Sequence, residues 1–352
     1  MGATVRIGSR LVGKGQPCYI VAEMSANHGG DYEQAVRILR AAKEFGADAV
    51  KLQTYRADTI TLNCDGDDFR ISSESPWADS KTLFSLYEKA YTPWEWHRGL
   101  FQEARSIGLD IFSSPFDATA VDLLESLDAC AYKVASPEIT DIPLLERIAA
   151  TGKPVILSTG VADLSDLTLA VDTLRGGGAN EIVLLKCTTA YPAPAEEANL
   201  RTIPDMATRF NCVAGLSDHT LGLGVPIAAV ALGASFLEKH YILEHGDNSE
   251  DAFFSLNTLE FKTLVAEVRK VEKALGRVCY DLTSSSRKSV QGRRSLYVAK
   301  DVKRGDILTR DDIRSVRPGL GLHPKHLGEF LGRRAGRDLS LGERANLDMI
   351  EE

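Results

Sequence analysis

What the chain lacks narrows it first. Its six cysteines (Cys18, Cys64, Cys130, Cys187, Cys212 and Cys279) stand singly with no CxxC spacing, so neither a disulfide framework nor a cysteine zinc site is expected. They are read as reduced and mostly buried; Cys187, at a strand end, is assigned to packing. Basic charge is scarce: 41 Lys and Arg against 49 Asp and Glu leave a net charge of −8. Nucleic acid as a partner is excluded on that ground, because a phosphate backbone demands a basic face. An anionic small substrate stays compatible if the lysines gather locally. No apolar run approaches the roughly 18 to 20 residues of a membrane span. The first residues, MGATVRIGSRLVG, offer neither an apolar h-region nor a small-residue cleavage site. A soluble, cytoplasmic protein is expected.

What the chain has is a rhythm. Eight short apolar runs recur over its first two-thirds: YIVAEM, AVKLQT, DIFSSP, AYKVAS, PVILSTG, IVLLKC, VAGLSDHT and FLEKHY. Nearly all lead into a stretch of helical periodicity, which argues for parallel βα units. Eight of them suggest a closed (β/α)8 TIM barrel, an α/β fold. The 352 residues exceed the roughly 250 of a typical barrel, so a second small domain is expected. The barrel is assigned to residues 1–276, a Ser-rich linker (LTSSSRKSVQG) to 277–292, and a compact module of short β-like pieces to 293–352.

Local signals fill in the helices. Asp31, Asp117, Asp141 and Ser165 are candidate helix starts, and Gly46, Gly108, Gly152 and Gly176 candidate stops. Thr92-Pro93-Trp94-Glu95 has the form of a capping box with Pro at the first helical position. A last helix is expected over about 259–275. Between Thr59 and Tyr91 lies an insertion, polar at first and aromatic later (Trp77, Phe84, Tyr87), of the kind that caps or shapes a site. Trp94 and Trp96 are assigned to packing.

In such a barrel the C-terminal strand ends and the loops after them build the active site. Glu23, Lys51, Gln53, Ser114, Lys133, Ser136, Ser158, Ser217, His219, Glu238 and His240 should therefore converge. Ser217 and His219, like Glu238 and His240, are two apart and point to one side of adjacent strands. His219 and His240 would sit side by side, and two neutral imidazoles with open positions suit a divalent transition ion, Mn2+ preferred over Mg2+ or Co2+. The alternative is two satisfied, half-buried histidines. Lys51 and Lys133 are costly to bury without an anion. With the four serines they form a cage for phosphate, or they pair internally with Glu23 or Glu238. Glu23 and Glu138 are the candidates for proton transfer.

Taken together, AE-x-x-x-NH (Glu23, Asn27, His28), GADAVKLQT, SSPFD, YKVAS, KPVILSTG, CTTAYPAP, GLSDHT, EKH and RSLYVAKDVKRGDILT followed by RPGLG resemble the sialic acid synthases over essentially the whole chain. These enzymes condense phosphoenolpyruvate with an N-acetylated amino sugar. AEMSANH, LFSLYEKAYTPWEWH and LLKC are most similar to the pseudaminic acid synthases, the subgroup that uses 2,4-diacetamido-2,4,6-trideoxy-L-altrose. N-acetylneuraminate and legionaminate synthases are the alternative. The resemblance implies a barrel followed by an antifreeze-protein-like (SAF) domain, in a domain-swapped, head-to-tail homodimer. It implies metal ligation by His219 and His240. A phosphoenolpyruvate pocket is implied at Lys51, Ser114, Lys133, Ser136, Ser158, Thr189 and Ser217. Sugar contacts are implied at Gln53, Glu138, Tyr191, Asp251 and, from the partner, Arg317.

Three positions depart from the family pattern. Pro137 precedes the Glu where a small or aromatic residue is usual. Thr189 replaces the Asn of N-acetylneuraminate synthases, which argues against N-acetylmannosamine. EHGDNSED replaces a shorter glycine-containing approach, making Asp247 and Glu250 rivals of Asp251. Two rival readings remain: a Schiff-base lyase with Lys133 as nucleophile, and a non-catalytic carbohydrate-binding protein.

Overall fold

The structure, a computed structural model, describes residues 3–246 and 249–351. Two short strands, β1 (Thr4–Ile7) and β2 (Arg10–Gly13), form an antiparallel hairpin. Eight parallel strands then close into a barrel: β3 (Tyr19–Glu23), β4 (Ala49–Thr54), β5 (Asp110–Pro115), β6 (Tyr132–Val134), β7 (Val155–Ser158), β8 (Ile182–Cys187), β9 (Val213–Asp218) and β10 (Phe236–His240). Closure pairs β10 with β3, setting His240 beside Glu23, while Glu23 lies beside Lys51 and Ser217 beside Glu238. Each apolar run is thus a strand, and these three registers align polar residues with polar ones.

The strands read as near-continuous apolar runs because both faces are covered. Outward residues such as Ile20, Val50, Leu52, Leu157, Leu184 and Leu237 pack under the helices. Inward residues such as Tyr19, Val21, Phe112, Ile156, Val183, Leu185 and Phe236 fill the barrel's lower half together with Val5, Ile7 and Val12 of the hairpin. The hairpin thereby plugs the N-terminal end, each buried aliphatic side chain contributing about 1.5 to 3 kcal/mol. Gly215 of β9 is needed there, because a Cβ would stand 2.2 Å from the Phe236 carbonyl oxygen.

Helices Tyr32–Glu44, Ala118–Ser126 and Ile142–Ala149 start at Asp31, Asp117 and Asp141, whose side chains accept backbone N–H bonds as expected of N-caps. Two starts differ from expectation. Helix Leu164–Gly176 is capped by Asp163, and Ser165 instead donates its hydroxyl to that carboxylate at 2.6 Å. Helix Trp94–Ser106 has Pro93 at its N-cap and no side-chain cap. Thr92 forms no capping box because its buried hydroxyl faces His28 Nε2 at 3.2 Å. A tertiary partner outcompetes the local one. The final barrel helix, Thr258–Leu275, starts at Asn257 with a reciprocal Glu260 contact.

Two compact units divide at Gly276. In the second, 277–352, the Ser-rich stretch holds a short helix, Ser284–Lys288, capped by Thr283. Strands β11 (Ser295–Val298) and β12 (Ile313–Val316) pair antiparallel over a small core that includes Leu296, Leu308, Ile313, Phe330 and Leu339. No helix among the described residues is long and apolar enough to cross a membrane.

Candidate active site at the barrel mouth

Two steps along each inward face, the apolar filling gives way to charge. Lys51 Nζ lies 2.8 Å from Glu23 Oε2, 3.7 Å from Glu238 Oε1 and 3.2 Å from Ser114 Oγ. Lys133 Nζ donates to Ser158 Oγ at 2.6 Å and to the Val134 carbonyl at 3.0 Å, with Glu238 Oε1 3.9 Å away. Ser217 donates to Glu238 at 3.0 Å. All seven side chains are buried. Internal pairing of the lysines is therefore real, and Glu238 is shared between them.

The charge states follow from this packing. Burial pushes the Glu23 carboxyl up to about 7 against the pull of Lys51. Burial would also raise Glu238, but Lys133 and Lys51 hold it below the usual range, as a carboxylate. For Lys51, burial is outweighed by Glu23 and Glu238, so its ammonium is strengthened. Lys133 is weakened, chiefly by burial and further by Lys51. Its only acidic neighbour within 4 Å among the described residues is a carboxylate shared with Lys51. The pair retains capacity for an incoming anion.

The histidines converge as their register requires. The His219 and His240 rings lie 5.3 Å apart at 59°. His219 Nδ1 is 3.0 Å from the Thr188 carbonyl, a contact that fixes the ring and directs Nε2 away from it. His240 Nδ1 is buried without a hydrogen bond, 3.7 Å from Asp251 Oδ2. Burial, and then His219 and the lysines, keep His240 far below its ordinary value, hence neutral and able to act as a ligand. No group of three or more His, Cys, Asp or Glu among the described residues is arranged to enclose an ion. Two imidazoles with rings 5.3 Å apart, one with an unpartnered buried Nδ1, could hold a divalent ion only if water or substrate oxygens completed the shell.

Around this pair the loops add further contacts. Gln53 donates to Glu23 at 3.1 Å and to Ser25 Oγ at 2.8 Å. Asp251 is largely but not fully enclosed, and that desolvation raises its carboxyl while Ser25 opposes the shift by a hydrogen bond. The Tyr191 ring lies 4.5 Å from His219 and 5.0 Å from Phe254. Ser136 accepts from the Gly160 amide at 3.0 Å. A Cβ on Gly160 would stand 2.1 Å from Thr189 Oγ1 and 2.9 Å from Ser136 Oγ, so glycine is what lets these hydroxyls meet. Cys187 is more than packing: its Sγ lies 3.8 Å from His219 Nδ1 and 3.9 Å from Thr189 Oγ1. Glu138 Oε2 is buried with no partner, and burial pushes that carboxyl up to about 7. A helix-entry carboxylate would be exposed; this one is not.

Of the rivals to Asp251, Asp247 lies outside the described residues. Glu250 instead offers its backbone carbonyl to Trp77 Nε1 at 2.9 Å. Arg317 belongs to the second unit, where it lines a cavity of about 400 Å3 with Tyr297 and Arg314. Trp94 donates to the Tyr55 carbonyl and lies under Arg56, and Trp96 packs on His28 and Tyr32, both as packing residues.

Several contributors were not singled out from the sequence. Ser25 and Gly160 are small residues whose roles depend on close approach. Lys239 pairs with Asp218 at 2.6 Å on the outward side of β10 and β9, both buried. That contact joins the two strands that carry the histidines. The signal was there: the charged residue alternates with Glu238 and His240. Asn27, named in the AE-x-x-x-NH motif but given no role there, binds the Tyr241 carbonyl, Ser255 Oγ and Ser249 Oγ at 2.7 to 3.0 Å, tying down both ends of the loop that bears Asp251.

Above Gln53, His240 and Asp251 opens a cavity of about 470 Å3, walled on its outer side by the insertion through Ile71, Trp77, Leu86 and Tyr87. A larger cavity, about 580 Å3, lies at the opposite end of the barrel near Lys14, Cys212 and Ser235. Of the six buried side-chain polar atoms without a hydrogen-bond partner among the described residues, those on Glu23, Glu138, Glu238, His240 and Thr220 sit at the mouth, and the sixth is on the helix cap Asp117. Unsatisfied polar atoms point to chemistry at that end.

Comparison with known proteins agrees with this two-domain fold. Residues 38–280 match the NeuB family and residues 293–351 the SAF domain. The pseudaminic acid synthase of Helicobacter pylori is 44% identical, over 96% of this chain and 98% of that protein. The pseudaminic acid synthase of Campylobacter jejuni strain 81-176 is 43% identical, over 92% and 94%. Among solved structures, the spore coat polysaccharide biosynthesis protein SpsE of Bacillus subtilis superposes with a TM-score of 0.68 at 33% identity, covering 99% of both chains.

Proposed function

Because the chain belongs to the NeuB family, we propose that it condenses phosphoenolpyruvate with 2,4-diacetamido-2,4,6-trideoxy-L-altrose to give pseudaminic acid and phosphate. The observation that carries this reading is the buried Lys51–Glu238–Lys133 cluster with Ser114, Ser158 and Ser217 around it, beside two convergent histidines. Identity of 43 to 44% with synthases of that product supports the choice of sugar.

Phosphoenolpyruvate is held by Lys51, Lys133 and the hydroxyls of Ser114, Ser136, Ser158, Thr189 and Ser217. Charge-assisted bonds from the two ammoniums suit both its carboxylate and its phosphate. Gln53, Tyr191 and Asp251 orient the open-chain sugar so that its aldehyde carbon faces C3 of phosphoenolpyruvate. His219 and His240 would hold a divalent ion, Mn2+ by preference, and such an ion would supply Lewis acidity toward that aldehyde. As the C–C bond forms, positive charge grows at C2, and the carboxylate of Glu238 and the ionised fraction of Glu23 lie in the same cluster. Water adds at C2; Glu138, poised near 7, or Glu23 takes its proton. Cleavage of the C2–O bond then releases phosphate. In a head-to-tail dimer Arg317 would come from the second copy.

The test is phosphate release from phosphoenolpyruvate by the Mn2+-loaded protein with each candidate sugar. Release with the diacetamido-trideoxyaltrose and not with N-acetylmannosamine is the expected result. Release with N-acetylmannosamine alone overturns the sugar assignment, and silence with both overturns the reaction. Borohydride trapping of a carbonyl substrate on Lys133 would establish the lyase reading instead.

A further inference from the structure

The insertion between the second and third barrel strands contains one well-formed helix, Leu83–Ala90, capped by Thr82. Its apolar residues Leu83, Leu86, Tyr87 and Ala90 follow the i, i+3, i+4, i+7 spacing of a single face. Such a face normally packs on a core. This one does so only through Tyr87, whose ring meets buried Tyr55 edge-on at 5.6 Å: none of the four is fully buried, and none belongs to any hydrophobic cluster of the described residues. All four instead line the 470 Å3 cavity above the mouth, together with Ile71 and Trp77.

That cavity has a polarity gradient. Its inner end is Gln53, His240 and Asp251, continuous with the reacting centre, while Arg70, Ser72 and Ser75 stand among the outer residues. Ile71, Leu83, Leu86 and Ala90 give that lining an apolar stretch of wall without side-chain donors or acceptors, beside the polar tips of Tyr55, Tyr87, Tyr191 and Glu250. A hydroxyl-rich sugar tail placed against such a wall would lose hydrogen bonds to water without replacement. A tail ending in methyl groups would lose none.

We propose that the Leu83–Ala90 face, with Ile71, is the specificity wall of the site. It receives the methyl groups at the end of the sugar remote from the aldehyde, namely the C6 methyl of a 6-deoxy sugar and an adjoining acetamido methyl, and so selects deoxy, acylated substrates over those bearing a hydroxymethyl or polyol tail. This rests on the reading of the site as an amino-sugar synthase and names the substrate feature that the site discriminates. Leu83, Leu86, Tyr87 and Ile71 are specificity-determining residues and take no part in bond making.

The experiment compares kcat/KM for phosphate release with 2,4-diacetamido-2,4,6-trideoxy-L-altrose and with its 6-hydroxy counterpart, in full-length wild type, Leu86→Asn, Leu83→Ser and Leu86→Met. Wild type should favour the deoxy sugar by roughly 10- to 100-fold, the range one apolar contact supplies. Leu86→Asn and Leu83→Ser should each cut that ratio about tenfold, through the KM for the sugar, and Leu86→Met should keep it. A wild type that treats the two sugars alike, or polar variants that lower both equally, overturns the specificity wall and leaves the synthase reading standing. A wild type silent with both sugars overturns the synthase reading, and the wall with it.

Discussion

The two halves of the barrel interior are built on the same strands and differ by one step of two residues. Val21 precedes Glu23, Ala49 precedes Lys51, Phe112 precedes Ser114, Ala131 precedes Lys133, Ile156 precedes Ser158 and Phe236 precedes Glu238. The first of each pair lies in the apolar filling under the hairpin and the second is a buried polar residue at the mouth. Since strand side chains alternate faces, each pair shares the barrel interior. The lower layer supplies burial and is satisfied by packing alone. The upper layer sets like charges together, leaves polar atoms unpaired and is stable only because the lower layer holds the strands. Stability and chemistry are separated by about 7 Å of strand.

The largest effect should come from emptying the mouth of its imidazoles. A His219→Ala/His240→Ala double variant, or the wild type after chelation, should lose roughly 10³-fold or more in phosphate release, since a Lewis acid supplies several kcal/mol. Added Mn2+ should restore the chelated wild type and not the variant. Full activity in the metal-free double variant would refute the ion's role.

One pair of substitutions tests the separation of layers directly. Lys133→Met removes an ammonium aimed at the anion and should lower kcat/KM by about 10² to 10³. Its thermal midpoint should move little, because Glu238 keeps Lys51 at 3.7 Å. Phe236→Ala, two residues below Glu238, should do the reverse: about 3 to 5 kcal/mol of stability lost to a cavity, with kcat/KM per folded molecule nearly unchanged. Equal losses of stability from both would show that the layers are not independent.

This division also explains what could be read from the sequence. The eight strands, their closure and the convergence of Glu23, Lys51, Lys133, Ser217, His219 and His240 follow from alternation within single strands, a local pattern. Features decided by distant partners were not legible. Thr92 has every local mark of a cap and serves His28, 64 residues away. Cys187 looked like filling until folding set it against His219. Asp251 reaches His240 because Asn27 holds its loop, over a separation of more than 200 residues. The apolar face of Leu83–Ala90 has the periodicity of a core helix, and only the fold shows a cavity in front of it.

A smaller effect should appear in the pH profile. Glu138 has its carboxyl raised to about 7 by burial, so it is protonated below that pH and becomes a competent base above it. If it takes the proton from water, kcat should rise with pH through about 7 and level off. Glu138→Gln should remove that limb and cost about 10²-fold at the plateau. Glu23, also near 7, is the competing source. A limb that survives Glu138→Gln unchanged assigns the base to Glu23.

The smallest effect should come from Gly160→Ala, where the two halves of the comparison meet. Gly160 follows β7 by two residues and has no side chain to pack or react. It works by allowing Thr189 Oγ1, Ser136 Oγ and Cys187 Sγ to close over its Cα, where a Cβ would lie 2.1, 2.9 and 3.1 Å from them. None of these is backbone, so the added methyl can be accommodated by rotating hydroxyls, at little cost in stability. The rotation would withdraw Ser136 from the Gly160 amide, and both hydroxyls from the positions proposed to hold phosphoenolpyruvate. The expected outcome is therefore about a tenfold rise in the KM for phosphoenolpyruvate, with the KM for the sugar and the thermal midpoint little changed. A fall in the midpoint of several degrees with no change in that KM would place Gly160, Ser136 and Thr189 with the structural layer, and would move the boundary between packing and chemistry one step further out along β7.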